Sequence, residues 1–189
     1  MPKPRAANQV RIIAGDWRGR KITFPDHPGL RPTSDRVRET LFNWLQPHLQ
    51  GARCLDLFAG SGALGFEAAS RGAKQVTLVE QNAAVVAALT LSQQQLNAQT
   101  LSIMQGDAFE VLTGAHAAYD IIFVDPPFQL QRLSEICTRL QAYQWVHADS
   151  LVYIECAATQ IPVLPQAWQI IKNKQAGNVG YYLVDCKGD

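Results

Sequence analysis

Asp125-Pro126-Pro127-Phe128 follows the apolar run Ile121–Val124, so a carboxylate ends what reads as a buried strand. Proline keeps the residue before it extended and has no N–H of its own. Asp125 and Pro126 are therefore held stretched, and the Asp125 carboxylate and Pro126 carbonyl form a rigid pair of acceptors. A planar exocyclic amine has two N–H donors that match such a pair, and Phe128 can lie against a nucleobase. The chemistry this suits is alkyl transfer to an amine whose lone pair is delocalised into a ring. Hydrogen bonds from both N–H groups encourage the nitrogen to become tetrahedral, and in-line placement at roughly 3–3.5 Å does much of the rest. A carboxylate can take the proton, and the reaction needs neither a metal nor a covalent intermediate. Taken alone, the same four residues could be a strand-stopping turn with a core phenylalanine.

A second constellation lies upstream in LDLFAGSGALG, Leu55 to Gly65. Gly60, Gly62 and Gly65 make G-x-G-x-x-G between a strand and a helix, the context a nucleotide-binding turn requires. Glu80 ends the next apolar run, where a carboxylate can accept both hydroxyl protons of a ribose. Asp107, in Gly106-Asp107-Ala108, could accept from an adenine amino group while the Ala108 N–H donates to the ring; it could equally cap the next helix, and the two roles are compatible. Asp56 separates two classes of ligand. An acid four residues before Gly60 would repel the pyrophosphate of a nicotinamide cofactor, yet it suits S-adenosylmethionine, which carries an ammonium and a sulfonium. Phe58, Ser61 and Gln81 flank these positions and are assigned to the same cofactor site.

The elements that must position these residues are legible as periodicity. Val10–Ala14 and Lys21–Phe24 read as two short strands, and PDHPGLRP as the seam between a hairpin arm (residues 1–28) and a body (residues 29–189). Val37, Leu41, Trp44, Leu45 and Leu49 recur at helical spacing, with Thr33 or Ser34 as N-cap and Gly51 at the end. Strand-like runs follow at Cys54–Phe58, Val76–Glu80, Leu101–Met104, Ile121–Asp125 and Leu151–Glu155. They alternate with amphipathic stretches carrying Val85/Leu89/Leu96 and Leu130/Leu133/Ile136/Cys137/Leu140. Such alternation predicts a doubly wound, mostly parallel α/β sheet covered on both faces. Trp168–Lys174 and Val179–Cys186 flank Ala176-Gly177-Asn178 and predict an antiparallel hairpin at one edge, giving seven strands.

Charge is unevenly spread. The first 40 residues hold nine Lys/Arg against four acids, and the remainder eight against twelve. A basic arm on a mildly acidic body points to a polyanionic partner, although a solvated basic hairpin is an equal alternative on charge alone. Cys54, Cys137, Cys156 and Cys186 stand far apart without a C-x-x-C pair, and three of them lie in apolar strand-like runs and read as core thiols. The segment MPKPRAANQV has no hydrophobic signal region and no run is long enough to cross a bilayer, so a cytoplasmic protein with no membrane partner is expected.

At this point the chain resembles a known family. LDLFAGSGALG and D-P-P-F are similar to the motifs of class I S-adenosylmethionine-dependent methyltransferases acting on exocyclic amines. RIIAGDWRGRKI (Arg11–Ile22), GLRPTSDRVRETLFNWL (Gly29–Leu45) and LDLFAGSGALGFEAASRGA resemble the RsmD family of bacterial small-subunit rRNA guanine-N2 methyltransferases. The resemblance implies methylation of 16S rRNA at the guanine conventionally numbered 966, within an assembling small ribosomal subunit, by a monomer. It carries cofactor binding over to Asp56, Gly60, Gly62, Glu80, Asp107 and Ala108, and catalysis to Asp125–Phe128. Arg18, Arg20 and Lys21 are assigned to RNA phosphates, and Arg31, Arg36 and Arg38 to the same partner. For the last group, contact with the cofactor or pairing along one helix (Asp35 with Arg38, Glu39 with Arg36) are open alternatives. A DNA or RNA adenine-N6 methyltransferase would share the whole catalytic set; a nicotinamide dehydrogenase would share the glycine turn and Glu80 only.

Overall fold

The computed structural model describes residues 8–27, 30, 32–114, 117–127 and 131–187. A two-stranded hairpin, β1 (Asn8–Arg11) and β2 (Lys21–Phe24), precedes helix α1 (Asp35–Leu49). The body then runs β3 (Arg53–Asp56), α2 (Ala63–Ser70), β4 (Gln75–Glu80), α3 (Ala83–Leu96), β5 (Leu101–Gln105), α4 (Ala108–Val111), β6 (Tyr119–Val124) and α5 (Leu133–Ala142). It closes with β7 (Val146–Ala157), β8 (Gln169–Ala176) and β9 (Val179–Asp185).

Seven strands form one sheet in the order β5-β4-β3-β6-β7-β9-β8. The pairs from β5 to β7 are parallel, and β9 joins β7 and β8 antiparallel. The expected doubly wound sheet with an antiparallel terminal hairpin is what folds. Winding proceeds outward from β3 to β5 and then returns to place β6 on the other side of β3, so the strand order reverses between β3 and β6. In such sheets the crevice beyond the carboxyl ends at that reversal is where ligands bind.

Both faces of the sheet are covered because successive side chains point opposite ways. Ile121 and Phe123 join one core cluster with α1, α2 and the hairpin, whereas Ile122 and Val124 join the other with α5. Ser34 is the N-cap of α1, its side chain accepting from Val37 N, and Gly51 follows the helix at φ +77°. All four cysteines are buried, the three in strand-like runs as expected and the fourth with them. Among the described residues no helix is long and apolar enough to cross a membrane. Leu130 of the predicted α5 stripe lies outside the described residues.

Strand β7 starts earlier than the apolar run Leu151–Glu155 suggests. Tyr119 pairs with Val146 and Ile121 with Leu151, so a bulge absorbs the polar residues between. Ser150 holds the irregularity, accepting from His147 N at 2.8 Å and donating to Tyr119 O at 2.7 Å. The polar stretch lacks a strand's alternation, and a side chain supplies what the ladder cannot.

The hairpin is docked onto the body. Val10, Ile12, Ile22 and Phe24 alternate along its strands and are buried in the body's own core. Its connecting turn is fastened to the end of α2: Asp16 N donates to Ser70 O at 2.8 Å, and Trp17 N to Ser70 Oγ at 3.0 Å. Gly15 sits there at φ +81°, and a Cβ would land on the Ser70 carbonyl. Beneath the turn, fully buried Glu67 accepts from Ile13 N (2.8 Å), Ala14 N (3.0 Å), Arg71 Nε (2.7 Å) and Arg38 Nη1 (3.4 Å). A carboxylate with four donors is a satisfied buried charge, and removing it takes the acceptor from two hairpin amides and the buried acid from Arg38, leaving that arginine only the half-exposed Asp35. Glu67→Ala should therefore lower unfolding free energy by about 3–5 kcal/mol in urea titration. A loss below about 1 kcal/mol would show that the hairpin is held by its apolar face alone.

Candidate active site at the carboxyl edge of the sheet

Four parallel strands deliver acids to one edge. Asp56 ends β3, Glu80 ends β4, Asp107 follows β5 and Asp125 follows β6. The loop after β3 is pinned on both sides, since Leu57 N donates to Phe123 O at 3.1 Å and Ala59 N to Val79 O at 2.9 Å. Gly60 (φ +50°) and Gly62 (φ +79°) then turn it left-handed into α2, with Gly62 as N-cap. Gly65 answers a different need: a Cβ would run into Leu78 on β4, so the glycine lets helix and strand close together.

Glu80 and Asp107 are supplied by backbone amides. Glu80 accepts from Gly60 N at 3.1 Å and Asn82 N at 2.8 Å, tying the glycine loop to the start of α3. Asp107 caps α4 through one oxygen, Oδ1, which accepts from Phe109 N at 2.8 Å and Glu110 N at 3.3 Å. The capping alternative for Asp107 is thus realised, with Oδ2 outside those bonds and Ala108 buried behind it. Ser61 is turned inward, its Oγ accepting from Ala63 N at 3.4 Å. Phe58 is half-buried against the core, and Gln81 is exposed.

Asp56 is different. It is 1 % exposed, its Oδ2 accepts from Gly65 N at 3.2 Å, and buried Oδ1 has no hydrogen-bond partner among the described residues. Burial pushes its carboxyl from 3.8 up to about 7; the Gly65 and Phe58 amides oppose the shift and Glu80 adds to it. An orphaned, buried carboxylate oxygen beside a glycine turn calls for a cationic donor from outside the protein. The ammonium of S-adenosylmethionine has that chemistry, and Glu80 and Asp107 keep acceptor capacity for a ribose and an adenine amine. Asp56, Glu80 and Asp107 would thus hold the group, which supplies an electrophilic methyl.

Asp125 directly follows β6 and is half-buried, with Pro126 buried and Pro127 exposed; Phe128 lies outside the described residues. Its Oδ2 lies 3.3 Å from Thr33 Oγ1, which also lies 3.1 Å from Glu155 Oε1, and Tyr153 OH donates to that same Glu155 oxygen at 2.7 Å. Burial first, then the charges of Glu155 and Asp56, raise the Asp125 carboxyl well above its ordinary range, so a base of ordinary pKa is not what this position offers. Glu155, Tyr153 and the hydroxyl of Thr33 are partners that reading the sequence for motifs missed. The signal was present: Leu151–Glu155 ends in an acid like its neighbours, and Val124 pairs with Ile154, which puts Asp125 and Glu155 one step further along adjacent strands.

The basic residues divide. Arg18, Arg20 and Lys21 are exposed on the hairpin, but Arg20 reaches Gln95 O, at 3.4 Å, near the carboxyl end of α3. Helices α2 (8 residues) and α3 (14 residues) start at the candidate site and lead away from it; at 1.5 Å per residue the turn fastened at Ser70 sits roughly 12 Å down α2, and Arg20 at Gln95 roughly 20 Å down α3. Arg36 is exposed on the first turn of α1, and Arg31 lies outside the described residues. Arg38 is a correction. It is fully buried, donating to Thr33 O (3.2 Å), Arg11 O (2.9 Å), Asp35 (2.6 Å) and Glu67, so it cannot meet an external phosphate. The Asp35–Arg38 pairing alternative is the one that holds.

The family model described as Conserved hypothetical protein 95 matches residues 10–185. The chain belongs to this family. Within it, the ribosomal RNA small subunit methyltransferase D of Escherichia coli strain K12 is 44% identical over 183 residues, covering 96% of this chain and 92% of that protein. The protein of the same name from Haemophilus influenzae is 40% identical, covering 95% of each. The solved structure of the Escherichia coli protein yhhF superposes with a TM-score of 0.88 at 43% identity, spanning 96% of this chain and all of that one. The family resemblance carried by Arg11–Ile22 and Gly29–Leu45 is borne out.

The Asp56 shift gives this site a pH signature. The folded state holds the Asp56 proton more tightly than the unfolded chain, so stability present below 3.8 is lost as pH rises to about 7. Asp125 and Glu155 act in the same direction. Asp56→Asn should make the fall of the urea midpoint across that window shallower; a slope equal to wild type means that Asp56 ionises normally.

Proposed function

We infer that this protein is an S-adenosylmethionine-dependent methyltransferase that modifies the exocyclic N2 amine of guanine 966 in 16S rRNA. The observation that carries the reading is the pairing of two acids at the strand reversal. Asp56 offers an orphaned buried oxygen to a cation, and Asp125, stiffened by Pro126, stands on the adjacent strand. One site thus demands a positively charged donor and the next presents acceptors to an amine. A pyrophosphate beside Asp56 would meet an acid, which disfavours the nicotinamide alternative; titration with S-adenosylhomocysteine against NAD separates the two. The amine acceptors do not by themselves tell guanine from adenine. The names of the relatives, small-subunit rRNA methyltransferases at 44% and 40% identity, favour rRNA over DNA.

The substrate in this reading is 16S rRNA within an assembling small subunit, met in the cytoplasm by a monomer. The arm (residues 1–28) and body (residues 29–189) divide the work while sharing a core. Arg18, Arg20 and Lys21 grip phosphates a helix length from the target nucleotide, and Arg36 lies on a second exposed face. Arg31 and Phe128 keep their assignments to RNA and to the flipped base.

Mapping methylated nucleotides in total rRNA from cells lacking the protein should show one N2-methylguanine missing and restored by complementation; an unchanged map sinks the assignment. In that assay Asp125→Ala should lower turnover by about 10²–10⁴-fold while leaving S-adenosylhomocysteine affinity near wild type. Wild-type turnover in that variant would remove Asp125 from the chemistry. Replacing Arg18, Arg20 and Lys21 together by Gln should weaken RNA binding and reduce the log K against log salt slope by about two. An unaltered slope reassigns the hairpin to a structural role.

A further inference from the structure

A threonine hydroxyl carries one proton and cannot donate to two carboxylates at once. Thr33 Oγ1 nonetheless lies within hydrogen-bond range of both Asp125 Oδ2, at 3.3 Å, and Glu155 Oε1, at 3.1 Å. Glu155 Oε1 also receives the Tyr153 hydroxyl at 2.7 Å, which makes it the better supplied anion. The arrangement that keeps the better-supplied oxygen ionised is the following. Asp125 is protonated at Oδ2 and donates to Thr33, and Thr33 donates to ionised Glu155.

The surroundings agree. Burial and the Glu155 and Asp56 charges raise the Asp125 carboxyl well above its ordinary range. Burial also raises Glu155, but its bonds from Tyr153 and Thr33 pull it back. The groups facing this chain of contacts are Asp56 on β3, Tyr153 and Glu155 on β7, and Tyr181 on β9; burial first, then the Glu155 charge, raises the Tyr153 phenol well above its ordinary range. The cation in contact is Arg38 on α1, which meets Thr33 at its carbonyl, through Nε at 3.2 Å.

We propose that Thr33 and Glu155 form a proton relay behind Asp125, with Glu155 as the final acceptor of the proton that the methylated amine gives up. The relay rests on the reading of the site as an amine methyltransferase. As the amine nitrogen bonds to the methyl carbon, the S–C bond breaks and its electron pair stays on sulfur, leaving a positively charged, acidic nitrogen. Its N–H proton passes to Asp125 Oδ1, the Oδ2 proton passes to Thr33 Oγ1, and the Thr33 proton passes to Glu155 Oε1. Asp125 ends as it began, protonated, with its proton on the other oxygen. The positive charge lost from sulfur and the negative charge lost from Glu155 cancel, so no net charge is created inside the site. Thr33 and Glu155 touch no reacting atom and act as positioning and relay residues.

Thr33→Val removes the hydroxyl at nearly constant volume, Thr33→Ser keeps it, and Glu155→Gln removes the acceptor. With small subunits from cells lacking the enzyme, Thr33→Val and Glu155→Gln should each lower kcat by about 10²-fold, and Thr33→Ser should recover most of the loss. S-adenosylhomocysteine affinity should stay near wild type in all three, which also reports that they fold. Wild-type activity should fall at low pH as Glu155 takes up a proton, and Glu155→Gln should flatten that limb. In the ligand-free protein, infrared spectroscopy near neutral pH should show the C=O stretch of a protonated carboxyl that disappears in Asp125→Asn and shifts in Thr33→Val. Wild-type kcat in Thr33→Val, equal losses in Thr33→Ser and Thr33→Val, or an unchanged pH profile in Glu155→Gln overturns the relay. If wild type methylates no rRNA amine, the assignment of function fails instead, and the infrared band still decides whether the pair shares a proton.

Discussion

Carboxylates delivered to one edge of a parallel sheet repel each other and lose water, and each needs donors before the fold can tolerate it. Glu80 and Asp107 find theirs in the backbone amides of the loops they end. Asp125 and Glu155 find theirs in a shared hydroxyl and a phenol. Among these acids only Asp56 has a buried oxygen that no described group reaches. The same constraint that makes the edge costly to fold thus ranks its acids. Those already supplied shape the loops, and the one left short defines what the protein must take from solution.

The N-terminal region enters this ranking through a buried arginine. Arg38 Nε donates to Thr33 O at 3.2 Å while its other nitrogens hold Arg11 O, Asp35 and Glu67. A planar guanidinium fixes several partners in one plane, which a lysine could not do. Thr33 is therefore clamped at its carbonyl from one side and, at its hydroxyl, spans the two acids on the other. Docking of the hairpin on Glu67 and placement of the hydroxyl at the active edge are two ends of one network. The basic character of the first 40 residues is accordingly divided between exposed charge, as at Arg18 and Lys21, and internal scaffolding at Arg38.

Periodicity made the sheet legible because parallel strands buried on both faces are near-continuously apolar: Ile121–Val124 is so throughout, and Cys54–Phe58 is interrupted only by Asp56. Asp56, Glu80, Asp107 and Asp125 were legible for the complementary reason: each is an acid within or shortly after such a run, where the chain turns to the next helix. Glu155 obeys the same rule, but it belongs to no familiar motif, so its meaning appeared only when β7 was seen beside β6. Arg38 was unreadable in principle. A helix-surface stripe of charge looks the same in sequence whether it faces solvent or the Glu67 carboxylate of a second helix, and only packing tells them apart. The start of β7 was missed because a bulge held by Ser150 carries no alternation.

Methyl transfer to a neutral amine imposes a charge problem that this edge is built to answer. A cation must be drawn in, and after reaction a proton must be led away from a nitrogen that has just become acidic. A single ionised carboxylate placed between the two would serve both poorly, since it would bind the cation and the amine in competition. The strand reversal separates the tasks. Asp56 and Asp125 stand on neighbouring strands, β3 and β6, with their positions fixed by the register Asp56↔Phe123 and not by flexible loops. Glu155, one strand further from Asp56, is then the acid least engaged by the incoming cation and the one best placed to end neutral. In the proposed mechanism the order β3-β6-β7 thus follows the sequence of charge events across the sheet.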